Sequence, residues 1–238
     1  MRPVGILGGM GPEATVLLMQ RLIRATGAED DSGHIHLVVD QNPQVPSRIA
    51  WLLEGRGEDP APVLAAMARG LEAAGAEALA MPCNTAHLFA PAIRDAVRVP
   101  FLDMVTLAVE RARALAGAGG KVGILASPAV RRTALFEARM AAAGLEPLYP
   151  EDEAALLSAI RRIKAAGADG TARDVLGAVS AGLVARGARV QMIACTEFSL
   201  IADAVAEDAV AFDTLDVLVE AIRDFALGCG AGKKRAAT

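Results

Sequence analysis

Two cysteines occupy matching places in this sequence, and their surroundings suggest acid–base or nucleophilic chemistry. Cys83 lies in the stretch MPCNTAH and Cys195 in the stretch ACTEF. Each cysteine follows a short apolar run that is typical of a buried strand and precedes residues that can begin a helix. Unpaired backbone N–H groups at a helix start favour a thiolate, so we expect a lowered pKa for a cysteine in this setting. A thiolate could attack a substrate or remove a proton from it.

The chain also repeats itself, and the repeat pairs the two cysteines. The segment GILGGMGPEAT (5–15) matches GILASPAVRRT (123–133) in its first three residues and its last. In GAEALAMPCNT (75–85) and GARVQMIACTE (187–197), the cysteine stands eight positions after the first glycine. Two similar lobes that face each other would direct both sulfurs into one cleft. There, one cysteine could remove a proton from a carbon atom and the other could return a proton to the opposite face.

The cysteines and histidines of this sequence also have alternative roles. A free cysteine is often a small buried hydrophobe, which is the alternative for either sulfur taken alone. An odd count of three cysteines without an export signal argues against disulfides. Neither C-x-x-C nor H-E-x-x-H occurs, so the sequence predicts no metal site. His87, four residues after Cys83, could act as its base but is more typical of helix packing. His34 and His36 flank the entry to a predicted strand, and Cys229 lies in a glycine-rich tail.

A second motif, GMGPEA, has the glycine spacing of a dinucleotide-binding turn. It fits G-x-G-x-x-A through Gly9, Gly11 and Ala14 and follows a predicted strand, and Asp40 closes the next strand. However, Asp40 comes 29 residues after Gly11, whereas the usual gap is about 20. The alternative is a tight turn that lets the backbone approach a small anion, with Pro12 at the first helical position.

The wider pattern alternates between short apolar runs and longer segments with a helical period. This alternation predicts an α/β fold with mostly parallel sheets. The predicted strands are 4–7, 35–39, 77–81, 99–102, 121–125, 190–194 and 209–212. The predicted helical segments include 61–74, 107–116, 133–143, 154–165 and 172–185.

Together with the repeat, this pattern predicts two pseudo-symmetric α/β lobes with the active site in the cleft between them. We expect the first lobe to span residues 1–105 and the second to span residues 106–210. A C-terminal helix at 211–227 and a flexible tail at 228–238 would follow. The sequence does not indicate where that helix docks.

Composition narrows the class of partner. The 238 residues carry a net charge of -4, and only 3% of them are aromatic. Because basic residues are scattered, apart from KKR in the tail, nucleic acid is not expected as a partner. No apolar run approaches the roughly 18 residues of a membrane span, so we expect no membrane partner. The N-terminal residues do not form an export signal, so we expect a cytoplasmic protein.

The motifs together resemble the aspartate/glutamate racemase family, and in particular its aspartate racemase branch. GILGGMGPEAT, NPQVPSR, GEDP, MPCNTAH and ACTEF carry this resemblance, which runs from the first predicted strand to the last. Glutamate racemases typically have histidine after the second Cys-Thr, where this chain has Glu197. The resemblance implies a cofactor-independent amino-acid racemase with two pseudo-symmetric lobes that is often a homodimer.

The resemblance also implies roles for individual residues. Cys83 and Cys195 would be the two proton donors and acceptors. Arg48 would bind a substrate carboxylate through two N–H donors of its guanidinium group, and Lys164 would close over the substrate. The other residues expected around the substrate are Met10, Gly11, Asn84, Thr85, Thr196 and Glu197. One position departs from the family, since Ser47 stands where aspartate commonly precedes the arginine, which leaves the side-chain preference open.

Our hypothesis from the sequence is therefore racemisation of aspartate or glutamate by two-base 1,1-proton transfer at Cα. An unperturbed cysteine is only a few per cent thiolate at pH 7, so this reaction calls for a lowered pKa at one sulfur. Three alternatives remain. They are a broad-specificity amino-acid or hydantoin racemase, an NAD-dependent dehydrogenase and a non-catalytic protein that binds small acids.

Overall fold

The computed structural model describes residues 1–229 and contains two four-stranded parallel sheets. The first sheet has the order β2-β1-β3-β4 and the second has the order β6-β5-β7-β8. All pairings within both sheets are parallel. The strands are β1 (Val4–Gly8), β2 (Leu37–Gln41), β3 (Ala78–Ala80), β4 (Phe101–Leu102), β5 (Lys121–Leu125), β6 (Glu146–Leu148), β7 (Val190–Ile193) and β8 (Val210–Asp213).

Ten α-helices accompany these sheets in the described residues, and short 3-10 helices lie between some of them. The α-helices are α1 (Pro12–Thr26), α2 (Arg48–Leu53), α3 (Ala61–Ala73), α4 (Ala90–Ala96), α5 (Met104–Ala116), α6 (Pro128–Arg132), α7 (Glu137–Ala142), α8 (Glu153–Ala166), α9 (Gly170–Ala185) and α10 (Thr214–Ala226). Because the two halves repeat one strand order with helices around each sheet, the predicted α/β fold with two pseudo-symmetric lobes is confirmed.

The structure differs from the sequence prediction in two elements. The edge strand Glu146–Leu148 of the second sheet was not predicted, because it has only three residues and contains a proline. The helix predicted at 133–143 is wrong in its bounds. The chain forms α6 before it and α7 within it, and the left-handed φ of +49° at Ala134 separates the two helices.

The glycine that opens each copy of Gly-Ile-Leu has a packing role. A Cβ atom on Gly5 would lie 2.7 Å from the Leu79 side chain, which is too close for any real contact. A Cβ atom on Gly123 would lie 3.0 Å from Leu183. Both glycines therefore allow β1 and β5 to lie close to their neighbours in the core.

The last helix of each half packs on the sheet of the other half. Helix α5, which follows β4, packs its buried face with Val122 and Met192 of the second sheet. Helix α10, which follows β8, packs with Val4 and Ile6 of the first sheet and with Leu18 of α1. The helix expected within 211–227 is thus α10, and it returns to the first sheet.

Residues 230–238 lie outside the described part of the chain, and with them all but the start of the predicted tail at 228–238. Among residues 1–229, no helix combines the length and apolar character needed to cross a membrane.

Candidate active site

A cavity of about 430 Å³ lies where the carboxyl ends of the strands from both sheets meet. Cys83 and Cys195 both line it, one from each half of the chain. The other predicted site residues that line it are Met10, Gly11, Arg48, Thr85, Lys164, Thr196 and Glu197. The fold therefore brings together every predicted site residue except Asn84 in one cavity.

The loop after β1 forms one wall of this cavity. Gly9 has a φ of +91°, and a Cβ atom there would lie 2.4 Å from the Asn42 carbonyl group, so only glycine fits. The backbone N–H of Gly9 donates to the Thr15 hydroxyl at 2.9 Å. Gly11 precedes α1, which begins at Pro12 as the sequence predicted. This turn places the N-terminus of α1 at the cavity.

His87 supports the loop that carries Cys83. Its Nδ1 lies 2.8 Å from the carbonyl oxygen of Cys83, and its Nε2 accepts a hydrogen bond of 3.1 Å from the backbone N–H of Met104. An acceptor at Nε2 makes Nδ1–H the donor, so the ring is neutral. Burial lowers the pKa of His87 below its ordinary value, which agrees with a neutral ring. Because both nitrogens are bonded to the backbone, His87 is not placed to act as the base for Cys83.

Cys195 has a carboxylate as its hydrogen-bond partner. Its thiol donates to Oε2 of Glu197 at 2.9 Å, while Oε1 of Glu197 forms an ion pair with Lys164. Burial raises the pKa of the Cys195 thiol well above the ordinary value for cysteine, and Glu197 raises it further. Burial opposes the charge of Lys164, but Glu197 outweighs this effect and holds the pKa of the lysine above its ordinary value.

The expectation of a lowered pKa at a helix start is therefore wrong for Cys195. The elements that follow the cysteines are short 3-10 helices, Thr85–Phe89 and Phe198–Ala204, rather than long α-helices with a strong dipole. In addition, Glu197 places a negative charge beside the sulfur, which disfavours a thiolate.

Arg48 reaches the cavity from the first turn of α2. Its Nη1 donates to the carbonyl oxygens of Val45 and Pro46 at 3.0 Å and 2.8 Å, which fixes the guanidinium group on its loop. Ser47 caps the same helix, because its hydroxyl accepts from the backbone N–H of Ala50. Ser47 also lines the cavity, so the residue that departs from the family pattern lies beside the site.

Asn84 lies behind the cavity rather than on its wall. Its Nδ2 donates to the Thr214 hydroxyl at 2.9 Å, and its buried Oδ1 has no hydrogen-bond partner. The Thr214 hydroxyl in turn donates to the carbonyl oxygen of Ile193 at 3.0 Å. Through Thr214, the loop of Cys83 is joined to the end of the strand that precedes Cys195.

The structure adds wall residues that the sequence did not single out. Among them are Glu13 and Ser127, together with Ile160 of α8. A signal for Ser127 was available, because it lies in the second copy of the repeat and Ser-Pro is a typical helix start. Glu13 stands in the first turn of α1, where acidic residues are common for helix stability alone.

Within residues 1–229, no group of three or more histidine, cysteine, aspartate or glutamate side chains is arranged to hold a metal ion. The three cysteines are free thiols. The reactive and charged groups of the cavity include two thiols, the Glu197–Lys164 ion pair and the guanidinium group of Arg48.

Solved structures with a similar fold include racemases. The chain is similar to Picrophilus torridus aspartate racemase, with a TM-score of 0.84 and 26% identity, and the match covers 95% of this chain and 94% of that one. It is also similar to glutamate racemase from Francisella tularensis subsp. tularensis SCHU S4, with a TM-score of 0.67. That second match has 15% identity and covers 98% of this chain and 84% of the other, so it concerns the fold alone. The fold is thus the two-lobed fold of these racemase structures.

Comparisons of sequence identify the family. The broad specificity amino-acid racemase RacX of Bacillus subtilis (strain 168) is 26% identical over 155 residues. That match spans 62% of this chain and 64% of the relative, which is less than two thirds of its length. The family described as Asp/Glu/hydantoin racemase matches residues 7–222. The chain belongs to the Asp/Glu/hydantoin racemase family, a class of isomerases, and the resemblance in the motifs is confirmed.

Proposed function

We propose that this protein racemises an α-amino acid by transferring protons at Cα between two cysteines. The observation that carries the proposal is the placement of Cys83 and Cys195, which come from equivalent loops of the two halves and line one cavity. A planar carbanion between the two sulfurs could receive a proton on either face, which is what inversion at Cα needs. Each proton transfer uses only the side chains of the chain itself.

Each turnover conserves protons. One thiolate takes the Cα proton as the C–H bond breaks, and the electron pair remains on the substrate carbon. The thiol on the other face then gives its proton to that carbon, and its sulfur becomes the thiolate. The hydroxyl groups of Thr85 and Thr196 line the same cavity and can donate hydrogen bonds to the charge that develops on the α-carboxylate. The reaction written this way calls for no cofactor.

The cations of the cavity favour an acidic substrate, and aspartate is our first choice. Arg48 can bind one carboxylate through the donors that its backbone contacts leave free. Lys164 can bind the second carboxylate when it leaves Glu197. The name of the Picrophilus torridus relative agrees with this choice.

A second candidate is racemisation of a broader range of amino acids, and three observations favour it. Lys164 already has a carboxylate partner inside the protein, so its charge is balanced before a substrate binds. Ser47 carries no charge beside Arg48, and RacX is described as a broad specificity amino-acid racemase. We further propose, from the family resemblance, a cytoplasmic homodimer.

The direct test is a racemisation assay. Purified protein is incubated with single enantiomers of aspartate, glutamate and several neutral amino acids, and the enantiomer ratio is followed by chiral chromatography. We expect fast racemisation of aspartate, whereas similar rates for neutral amino acids would favour the second candidate. Cys83→Ala and Cys195→Ala should each lower the rate by roughly 10²–10⁴-fold, which is the usual contribution of one acid–base group. Cys229→Ala is the matched control, because that cysteine is exposed and does not line the cavity.

No racemisation of any amino acid by the wild-type protein would contradict the proposed function. A Cys83→Ala or Cys195→Ala variant with full activity would contradict the two-base mechanism even if racemisation were observed. Ligand binding without turnover would instead support the binding-protein alternative.

A further inference from the structure

The two cysteines differ in the residue that stands two positions after each of them. The residue two positions after Cys195 is Glu197, whose carboxylate accepts the thiol hydrogen at 2.9 Å. The residue two positions after Cys83 is Thr85, which carries no charge. The two cysteines are equally accessible, since each is 8% exposed. The difference between them is therefore one of electrostatics rather than access.

Charged groups face Cys195 from several elements. Glu197 comes from its own loop, and Lys164 comes from α8 and pairs with Glu197. Across the cavity lie Cys83, Arg48 of α2 and Glu13 of α1. A carboxylate in direct contact with a thiol disfavours loss of its proton, and the neighbouring ammonium group partly offsets this effect.

We propose that Glu197 holds the proton on Cys195 in the ligand-free protein, so that Cys195 is the first acid and Cys83 the first base. This assignment of first acid and first base rests on the proposed racemase function. The pKa of Cys195, raised by burial and by Glu197, agrees with it. Glu197 is then a positioning residue that acts through Cys195, rather than a group that only binds substrate.

The proton balance of the first turnover follows from this assignment. The Cα–H bond breaks, the proton moves to the sulfur of Cys83, and the electron pair stays on carbon. The S–H bond of Cys195 then breaks, and its proton moves to the opposite face of the carbon. The product form has a thiol at Cys83 and a thiolate beside Glu197. Repulsion between that thiolate and the carboxylate favours return of a solvent proton to Cys195 and loss of the proton from Cys83.

Alkylation of the thiols tests the protonation states without any substrate. Only the thiolate reacts with iodoacetamide, so the rate at each cysteine reports its thiolate fraction. The full-length protein is treated at pH 7.5, and the modification of each cysteine is followed over time by peptide mass spectrometry. The exposed Cys229 serves as the reference within the same sample.

We expect Cys83 to react faster than Cys195 in the wild-type protein. Glu197→Gln removes the negative charge and should speed the reaction at Cys195 about tenfold or more, which corresponds to a pKa change of about one unit or more. Lys164→Met removes the offsetting positive charge and should slow the reaction at Cys195. Glu197→Gln should leave the rate at Cys83 within about threefold, a change smaller than half a pKa unit. Lys164→Met acts on both thiols, because the ammonium group of Lys164 interacts with Cys83 as well as with Cys195.

Two results would overturn the proposal. One is a wild-type protein in which Cys195 reacts as fast as Cys83 or faster. The other is a Glu197→Gln variant, shown to be folded by circular dichroism, in which the rate at Cys195 does not rise. If that variant does not fold, the wild-type comparison and Lys164→Met decide the matter alone. A failure of racemisation would leave the alkylation result unaffected, so the two proposals can fail separately.

Discussion

At the scale of single residues, His87 links the loop of Cys83 to α5 through a neutral ring. Its two nitrogens bond the Cys83 carbonyl group and the Met104 N–H group, and burial holds its pKa below the ordinary value. In the unfolded chain His87 takes up a proton below about pH 6.5, whereas in the folded chain it stays neutral. The folded state is therefore stabilised above that pH and loses this stability as the pH falls.

This linkage gives a prediction for stability against pH. Lowering the pH from 7.5 to 5.5 should reduce the free energy of unfolding through His87 by up to about 1.4 kcal/mol, the value for a ring that stays neutral throughout this range. His87→Gln keeps one donor and one acceptor but does not titrate, so this part of the pH dependence should disappear in the variant. Urea unfolding of both proteins at the two pH values measures the difference. Equal pH dependence of the two proteins would contradict a neutral, buried His87.

At the scale of elements, Thr214 connects the two loops that carry the cysteines. Its hydroxyl stands at the first position of α10, accepts from Asn84 and donates to the carbonyl oxygen of Ile193. One side chain therefore fixes the loop of Cys83 against the strand that leads to Cys195. We expect this contact to hold the two sulfurs at the spacing that proton transfer needs.

Thr214→Val tests this connection, because valine has nearly the same shape but no hydroxyl. The variant leaves buried polar groups unpaired, so the free energy of unfolding should fall by about 1–3 kcal/mol. It should also lower kcat while changing KM little, since the residue does not line the cavity. Thr214→Ser restores the hydroxyl and should restore kcat. A valine variant with wild-type kcat would show that Thr214 serves stability alone.

The elements also show what could be predicted from the sequence. The repeated Gly-Ile-Leu and the equal spacing to Cys83 and Cys195 predicted two similar halves. In the structure, the repeated glycine lets a central strand pack closely in each sheet, and both cysteines follow strand ends. These features are local and periodic, so they can be read along the chain. The exchange of α5 and α10 between the halves could not be read this way, since an amphipathic helix does not specify which sheet it covers.

The sequence predicted most of the charged and thiol residues of the cavity but not its electrostatics, and it placed Asn84 on the cavity wall, where the structure does not. Arg48, Lys164 and both cysteines do line one cavity, as the motifs implied. The pairing of Glu197 with Cys195 and Lys164 depends on how α8 approaches the loop after β7, which is a tertiary contact. Local reasoning about a helix start therefore gave the wrong sign for the pKa of Cys195.

At the scale of the whole molecule, the exchanged helices couple the two halves. Helix α10 buries Leu215, Leu218, Val219 and Ile222 in the core of the first sheet. Each such side chain contributes about 1.5–3 kcal/mol, so together they approach the whole stability of a typical domain. Neither sheet has a complete core without a helix that follows the other, so we expect both halves to unfold together.

The chain offers one natural probe on each side. Trp51 is the sole tryptophan and lies on α2 of the first half, which contacts α6 of the second half, while Tyr149 is the sole tyrosine and packs against the core of the second sheet. Tryptophan fluorescence, tyrosine absorbance and circular dichroism should give coincident urea transitions. Separate midpoints for Trp51 and Tyr149 would show that the two halves unfold independently.

In the proposed mechanism, a proton leaves Cα toward one cysteine and a different proton arrives from the other. The most direct measurement is turnover of a single enantiomer of aspartate in D2O, with chirality and Cα deuterium followed together by chiral separation and mass spectrometry. Thiol hydrogens exchange with solvent, so we predict that the product enantiomer carries deuterium at Cα from the earliest time points. The remaining substrate should still carry hydrogen at those times. Product that retains its original hydrogen, or the absence of Cα exchange with any amino acid, would contradict the account.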